Sequence, residues 1–250
     1  MDKRNCEEKS AGTADCCAVL LRGGKSRRMG TDKALLPWKD GRTFLQAVAE
    51  QMDIFPEKYL SVSADYNGSE SGSVSHEAGC FIEQSLSPDW VLLPDRIADC
   101  GPMGGIWTAL SACRAQWALV ASCDIPAMQR ELFYMLLKER EAGDYDMIFP
   151  VTPEGRIHFT CALYKKTAAP ILERQIRKGD YRLRSLLPLC SSRAAAVEEP
   201  SMVRMLSNVN TKEDLRQLEQ GGGSVFHPVF TPPADGFWTG EPSPVPYEEN

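Results

Sequence analysis

Residues able to do chemistry cluster first between Val19 and Leu36, where a short apolar run ends in Gly23-Gly24 and continues as Lys25-Ser26-Arg27-Arg28-Met29-Gly30-Thr31-Asp32-Lys33. Glycines let a backbone approach a ligand and turn its N–H groups inward, so a strand followed by such a loop makes an anion cradle. Lys25, Arg27, Arg28 and Lys33 add positive charge beside it. A nucleoside triphosphate suits that combination, and its phosphates call for a carboxylate elsewhere that can hold Mg²⁺, a hard ion that prefers oxygen. Asp95 and Asp124 each follow an apolar run, Trp90 to Pro94 and Trp117 to Cys123. The carboxyl ends of parallel strands are where α/β sheets bind ligands.

Two common phosphate motifs fail to describe the loop. Gly24-Lys25-Ser26 looks like the end of a P-loop, but that pattern needs glycine at position 19, where Val19 stands. The dinucleotide pattern G-x-G-x-x-G fails as well, because Gly23-Gly24 is followed by Lys25-Ser26-Arg27-Arg28.

The rest of the chain must position these groups. Its 250 residues suffice for one sizeable domain, and 43% hydrophobic with 25% charged residues is ordinary for a globular protein. A net charge of −6 argues against nucleic acid as the main partner. The nine cysteines have no C-x-x-C pair and several lie in apolar runs, which predicts reduced thiols in a cytoplasmic setting. No run approaches 18 apolar residues, so no membrane partner is expected.

Short apolar runs alternate with amphipathic ones. Strands are predicted at 15–21, 59–64, 90–95, 117–122, 147–151 and 159–164, with weaker candidates at 80–82 and 203–206. Helices are predicted at 44–52 behind a Thr43 N-cap, and at 106–113, 131–140, 168–177, 183–187 and 211–218. Pro153-Glu154-Gly155 reads as a turn between two of the strands. Thr211 and Asp214 suit a capping box on the last helix, with Asn208 and Asn210 in turns before it. The alternation predicts an α/β fold with a mainly parallel central sheet flanked by helices. Residues 1–14 read as a flexible N-terminal extension, 15–220 as the domain, 65–79 as a surface insertion, and 221–250 as an acidic, Pro-rich mobile tail.

The loop resembles the signature L-A-G-G-x-S-x-R-M-G-x-D-K of nucleotidyltransferases of the molybdenum cofactor guanylyltransferase family, standing here as Leu21-Arg22-Gly23-Gly24-Lys25-Ser26-Arg27-Arg28-Met29-Gly30-Thr31-Asp32-Lys33. The resemblance continues in order at Leu93-Pro94-Asp95, Gly101-Pro102-Met103-Gly104-Gly105, Cys123-Asp124-Ile125-Pro126 and Asn208-Val209-Asn210-Thr211-Lys212-Glu213-Asp214-Leu215. It implies a single Rossmann-like nucleotidyltransferase domain that transfers GMP from GTP to the phosphate of molybdopterin or molybdenum-molybdopterin and releases pyrophosphate. It further implies Leu21, Arg22, Gly23, Gly24, Lys33, Ser63, Asp95 and Asp124 on the nucleotide, Arg28, Lys33 and Asp124 in catalysis, and Asp124 on Mg²⁺. Asn208 and Asn210 would lie near the active-site face. Proteins that deliver molybdopterin or mature molybdoenzymes are the implied partners. Two positions depart from the family's usual residues: Arg22 stands for Ala, and Ser63 for Asn.

Arg156, His158, Lys178, Arg182 and Arg184 read either as a pterin-phosphate patch or as a basic solvated face, with the solvated face preferred. Three other functions remain compatible with the loop: a molybdopterin cytidylyltransferase, a sugar-phosphate nucleotidyltransferase, and a nucleotide-binding adaptor without catalysis.

Overall fold

The computed structural model describes residues 12–22, 32–66, 86–220 and 237–238. Its strands are β1 (Cys16–Leu21), β2 (Glu57–Val62), β3 (Trp90–Pro94), β4 (Trp117–Ser122), β5 (Met147–Val151), β6 (Cys161–Lys165), β7 (Ser192–Ala196) and β8 (Phe237–Trp238). They form one sheet in the order β3-β2-β1-β4-β6-β5-β7-β8. Strands β3, β2, β1 and β4 run parallel, with Val19 paired to Tyr59 on one side and Val120 on the other. The mainly parallel sheet expected from the sequence is therefore present. Strand β6 lies antiparallel to both β4 and β5, so the carboxyl ends of β4 and β5 share one edge.

The α-helices are α1 (Phe44–Met52), α2 (Gly101–Ala112), α3 (Arg130–Glu139), α4 (Ala169–Arg177), α5 (Pro200–Met205) and α6 (Lys212–Gln220). They cover both faces of the sheet. Side chains alternate across a strand, and β1 divides accordingly. Cys16, Ala18 and Leu20 pack with Leu45, Val48 and Met52 of α1 and with Leu132, Phe133 and Leu136 of α3. Cys17, Val19 and Leu21 pack with Met103, Ile106 and Leu110 of α2 and with Leu172 and Ile176 of α4. Because both faces are covered, β1 and β4 are buried along their whole length, which explains their unbroken apolar runs.

Helix α1 begins where the sequence predicts. Thr43 Oγ1 accepts from the Gln46 N–H at 3.2 Å, and Gln46 Oε1 accepts from the Thr43 N–H at 2.8 Å, closing a capping box. The Thr211–Asp214 pair is also reciprocal, at 3.1 and 2.8 Å. The turn at Pro153-Glu154-Gly155 is present, with Gly155 at φ +76° and its N–H on the Thr152 carbonyl.

Three elements differ from the sequence reading. The segment 203–206, read as a strand, lies mostly in α5, because Pro200 opens a helical turn and Met202, Val203 and Leu206 then fall at helical spacing against the core. Helix α2 starts at Gly101, before the expected Ile106, since Pro102 is tolerated in a first turn, Gly104 packs on the segment after β3 and Gly105 meets the sheet at Ser61 and Leu21. Strand β7 is short and Ala-rich, and its parallel pairing with β5 makes it a strand against weak local propensity. The candidate strand at 80–82 lies outside the described residues. Gly12 and Thr13 of the N-terminal stretch are helical, and Gly12 accepts a 2.5 Å hydrogen bond from Arg140. Phe237–Trp238, within the stretch read as a tail, pair antiparallel with β7.

Candidate active site

The carboxyl edge of β1, β2, β3 and β4 gathers the residues singled out in the sequence. Arg22 follows β1, Ser63 follows β2, Asp95 follows β3, and Asp124 lies just past β4. Gly23, Gly24, Lys25, Arg27 and Arg28 lie outside the described residues.

Arg22 is fixed on several sides. Its N–H donates to the Ser61 carbonyl at 3.3 Å and its carbonyl accepts from the Cys123 thiol at 2.7 Å, so neighbouring strands hold its backbone. Its guanidinium donates to Asp32 Oδ2 from Nη2 at 2.5 Å and from Nε at 3.2 Å, and lies 5.6 Å from the centroid of the Tyr66 ring. Both members of this ion pair are mostly shielded from water, at 14% and 24% exposure. The other oxygen of Asp32 caps a short 3-10 helix, Lys33–Leu35, by accepting from the Ala34 N–H at 3.0 Å. Lys33 opens that helix, and its Nζ donates to Asn210 Oδ1 at 2.6 Å.

The segment Asn208–Asn210 joins the cation to the carboxylate. Asn208 Nδ2 donates to Asp124 Oδ2 at 3.2 Å, and the Val209 N–H donates to the Asp124 carbonyl at 2.7 Å. Asn208 Oδ1 in turn accepts from Arg156 Nη2 at 3.4 Å. Asp214, which shares the capping box of α6 with Thr211, accepts from the Asn210 N–H at 2.7 Å and steadies the segment from its far side. Turn and cap roles therefore coexist with contact to Lys33 and Asp124.

Asp124 Oδ1 is buried and has no hydrogen-bond partner. A buried carboxylate oxygen without a donor is costly, and a hard cation such as Mg²⁺ would satisfy it. The Asp124 carboxylate is thus an oxygen donor that could hold a metal ion. Among the described residues no group of three or more His, Cys, Asp or Glu is arranged to hold one.

Asp95 anchors the opposite side. Ser61 Oγ donates to Asp95 Oδ1 at 2.9 Å, and the Asp95 N–H continues the ladder onto the Val62 carbonyl at 2.9 Å. Burial raises the Asp95 carboxyl above the usual carboxylate value, and the Ser61 hydrogen bond partly offsets the rise. Helix α2 presses on this pair. A Cβ on Gly105 would stand 2.4 Å from Ser61 Oγ and 2.9 Å from Leu21 Cδ2, so glycine there lets the helix approach. Ser63 is exposed, and its carbonyl accepts from the Tyr66 N–H at 3.0 Å.

The basic-face reading holds for Lys178, Arg182 and Arg184, which are exposed, but not for His158. His158 is buried, and desolvation, aided by the nearby Arg156 cation, pushes its imidazole down to about 3, so it is neutral at physiological pH. Its Nε2 and the hydroxyl of Thr152 lack partners. Sequence reasoning passed over Ser61 and Asp32 as partners of site residues. Ser61 looks like an ordinary strand residue, and only the parallel register of β2 with β3 places it beside Asp95.

Residues 18–196 match the family described as the MobA-like NTP transferase domain. A relative from Methanothermobacter thermautotrophicus, named "Probable molybdenum cofactor guanylyltransferase", is 32% identical over 209 residues, covering 81% of this chain and 98% of its own. A relative of the same name from Flavobacterium johnsoniae is 28% identical over 203 residues, covering 80% and 94%. The solved structure of molybdopterin-guanine dinucleotide biosynthesis protein A from Archaeoglobus fulgidus has the same fold, with a TM-score of 0.62 at 20% identity, covering 82% of this chain and 97% of that one. Among the described residues no helix is long and apolar enough to cross a membrane.

Proposed function

This chain belongs to the MobA-like NTP transferase family, a family of nucleotidyltransferases, and we propose that it transfers GMP from GTP to the terminal phosphate of molybdopterin, releasing pyrophosphate. The observation that carries this reading is the polar chain Lys33–Asn210, Asn208–Asp124, which brings a cation and a carboxylate with an open valence to one strand edge. The names of the relatives support guanylyl transfer in the making of a molybdenum cofactor.

In the transfer, an oxygen of the acceptor phosphate forms a bond to the α-phosphorus of GTP, and the bond from that phosphorus to the oxygen bridging the β-phosphate breaks. Both substrates are polyanions, so positioning and charge neutralisation supply most of the rate. Lys33, held by Asn210, offsets triphosphate charge that grows on the departing pyrophosphate. Arg28 adds a second cation, backbone N–H groups near Gly23 and Gly24 suit the triphosphate, and the backbone from Leu21 to Gly23 lies against the nucleotide. Asp95 accepts from the N1–H and amino group of guanine, a donor pair that adenine lacks. Ser63 lies alongside the nucleotide. Magnesium, with Asp124 as its ligand, would supply positive charge to the reacting phosphates. Asn208 orients that carboxylate. The partners this function calls for are proteins that deliver molybdopterin or receive the finished cofactor.

The test is incubation with molybdopterin, Mg²⁺ and each labelled nucleotide in turn, following incorporation of the nucleoside monophosphate. Incorporation from GTP is expected. Incorporation from CTP and not GTP would overturn the guanylyl assignment in favour of a cytidylyltransferase, and binding without any incorporation would favour the adaptor.

A further inference from the structure

We infer that Arg22 is a positioning residue for Lys33, acting through Asp32 and not as a phosphate ligand. Arginine at the mouth of a triphosphate site invites the opposite reading, since a guanidinium suits phosphate oxygens. The geometry points elsewhere. The Asp32 carboxylate accepts from two guanidinium nitrogens, at 2.5 and 3.2 Å, and the face of Tyr66 lies 5.6 Å from the guanidinium carbon. The Arg22 backbone is tied to β2 through Ser61 and to the end of β4 through Cys123, so the guanidinium extends from a fixed base.

Asp32 passes this constraint on. One oxygen takes the guanidinium while the other caps the 3-10 helix that carries Lys33, through Ala34, which is fully buried. The Leu35 N–H then donates to the Asp32 carbonyl at 3.1 Å. Lys33 leaves this capped turn and meets Asn210. The carboxylate is thus a joint between β1 and the catalytic lysine. An Asp32 without Arg22 could still cap the helix, but the helix would lose its tie to the strand edge.

The inference rests on the nucleotidyl-transfer reading for its kinetic arm alone. In the substrate-free protein, Arg22→Ala should speed amide hydrogen exchange at Ala34 and Leu35, read by NMR with no nucleotide present. Unchanged exchange there overturns the inference even if GMP transfer is confirmed. Where transfer is measured, Arg22→Ala and Asp32→Asn should each lower kcat/KM by roughly 10- to 100-fold, the scale of a misplaced catalytic group. The double variant should be no worse than either, since the pair acts as a unit. Arg22→Lys should recover part of the loss. In a Lys33→Ala background, Arg22→Ala should have no further effect, which a general loss of structure would not reproduce. Tighter nucleotide binding by Asp32→Asn would overturn the inference, because freeing the guanidinium would then have made a phosphate ligand. Multiplying losses in the double variant would overturn it too. Urea midpoints for each variant separate misfolding from misplacement, and Arg22→Lys supplies the comparison if Arg22→Ala does not fold.

Discussion

Lys33 Nζ donates to Asn210 Oδ1 at 2.6 Å, although 177 positions of sequence separate the two residues. A lysine beside phosphates needs its amine held on a long, flexible stem, and an amide oxygen from the far end of the chain does this without neutralising its charge. Lys33→Met keeps the stem and removes the charge. Nucleotide affinity should fall about tenfold, the effect of losing one charge-assisted contact of about 1.4 kcal/mol, as measured by calorimetric titration with GTP. Unaltered affinity would remove Lys33 from the site.

Asp124→Asn should abolish Mg²⁺-dependent turnover, with kcat reduced by roughly 100-fold or more. The fold should not suffer, since the substitution removes a buried charge whose Oδ1 has no donor. Steady-state rates and the urea midpoint check the two halves of this expectation. Retained turnover would refute the metal role.

Gly105→Ala introduces a methyl 2.4 Å from Ser61 Oγ and 2.9 Å from Leu21 Cδ2. Overpacking of this kind costs about 1–3 kcal/mol, readable as a lower urea midpoint. The displaced Ser61 should also loosen Asp95, so KM for nucleotide should rise. A variant as stable as the parent would show that α2 has more freedom than its packing suggests.

Burial raises the Asp95 carboxyl above its ordinary value of 3.8, and Ser61 works against the rise. Above the folded-state pKa the carboxylate is ionised in both folded and unfolded states, and its burial then subtracts from stability. That penalty is relieved as pH falls through the folded-state pKa towards the unfolded value. Ser61→Ala should move the midpoint higher still, followed by NMR of the Asp95 carboxyl carbon. A midpoint that falls would assign the control of Asp95 to another group.

His158 shifts in the other sense. Its folded-state pKa is depressed from 6.5 to about 3, so its contribution to stability is complete above 6.5 and is lost as pH falls across that window. Unfolding free energy should drop there with a slope of up to about 1.4 kcal/mol per pH unit from this one proton. His158→Gln should flatten the profile in urea titrations at stepped pH. A profile of unchanged slope would attribute the acid sensitivity to other groups.

The sheet and its flanking helices were legible because buried parallel strands leave unbroken apolar runs, as at Val19 and Val120, and because caps such as Thr43 have a local signature. What escaped depends on contacts between distant segments. Strand β7 carries no strand-like composition and takes its form from β5. Segment 203–206 is apolar enough to read as a strand until Pro200 and the core beneath it are considered. At the site, Asp95 and Asp124 could be picked out because strand ends advertise themselves. Their partners Ser61 and Asn208 could not be assigned from spacing, since hydrogen bonds across a sheet edge leave no periodicity. His158 looked like one more basic residue near Arg156, and only burial reveals it as an uncharged one.

The Asn208–Asn210 segment also bears on how the protein is made. It emerges from the ribosome long after β1 and β4, which can pair as soon as both have been synthesised. Until this segment docks, Lys33 lacks its amide partner and Asp124 lacks both Asn208 and the Val209 N–H. A nascent or truncated chain ending before Asn208 would carry the sequences of β1 to β7 but none of these contacts. In such a chain the lysine and the carboxylate at the strand edge would each stand without the amide that now fixes it.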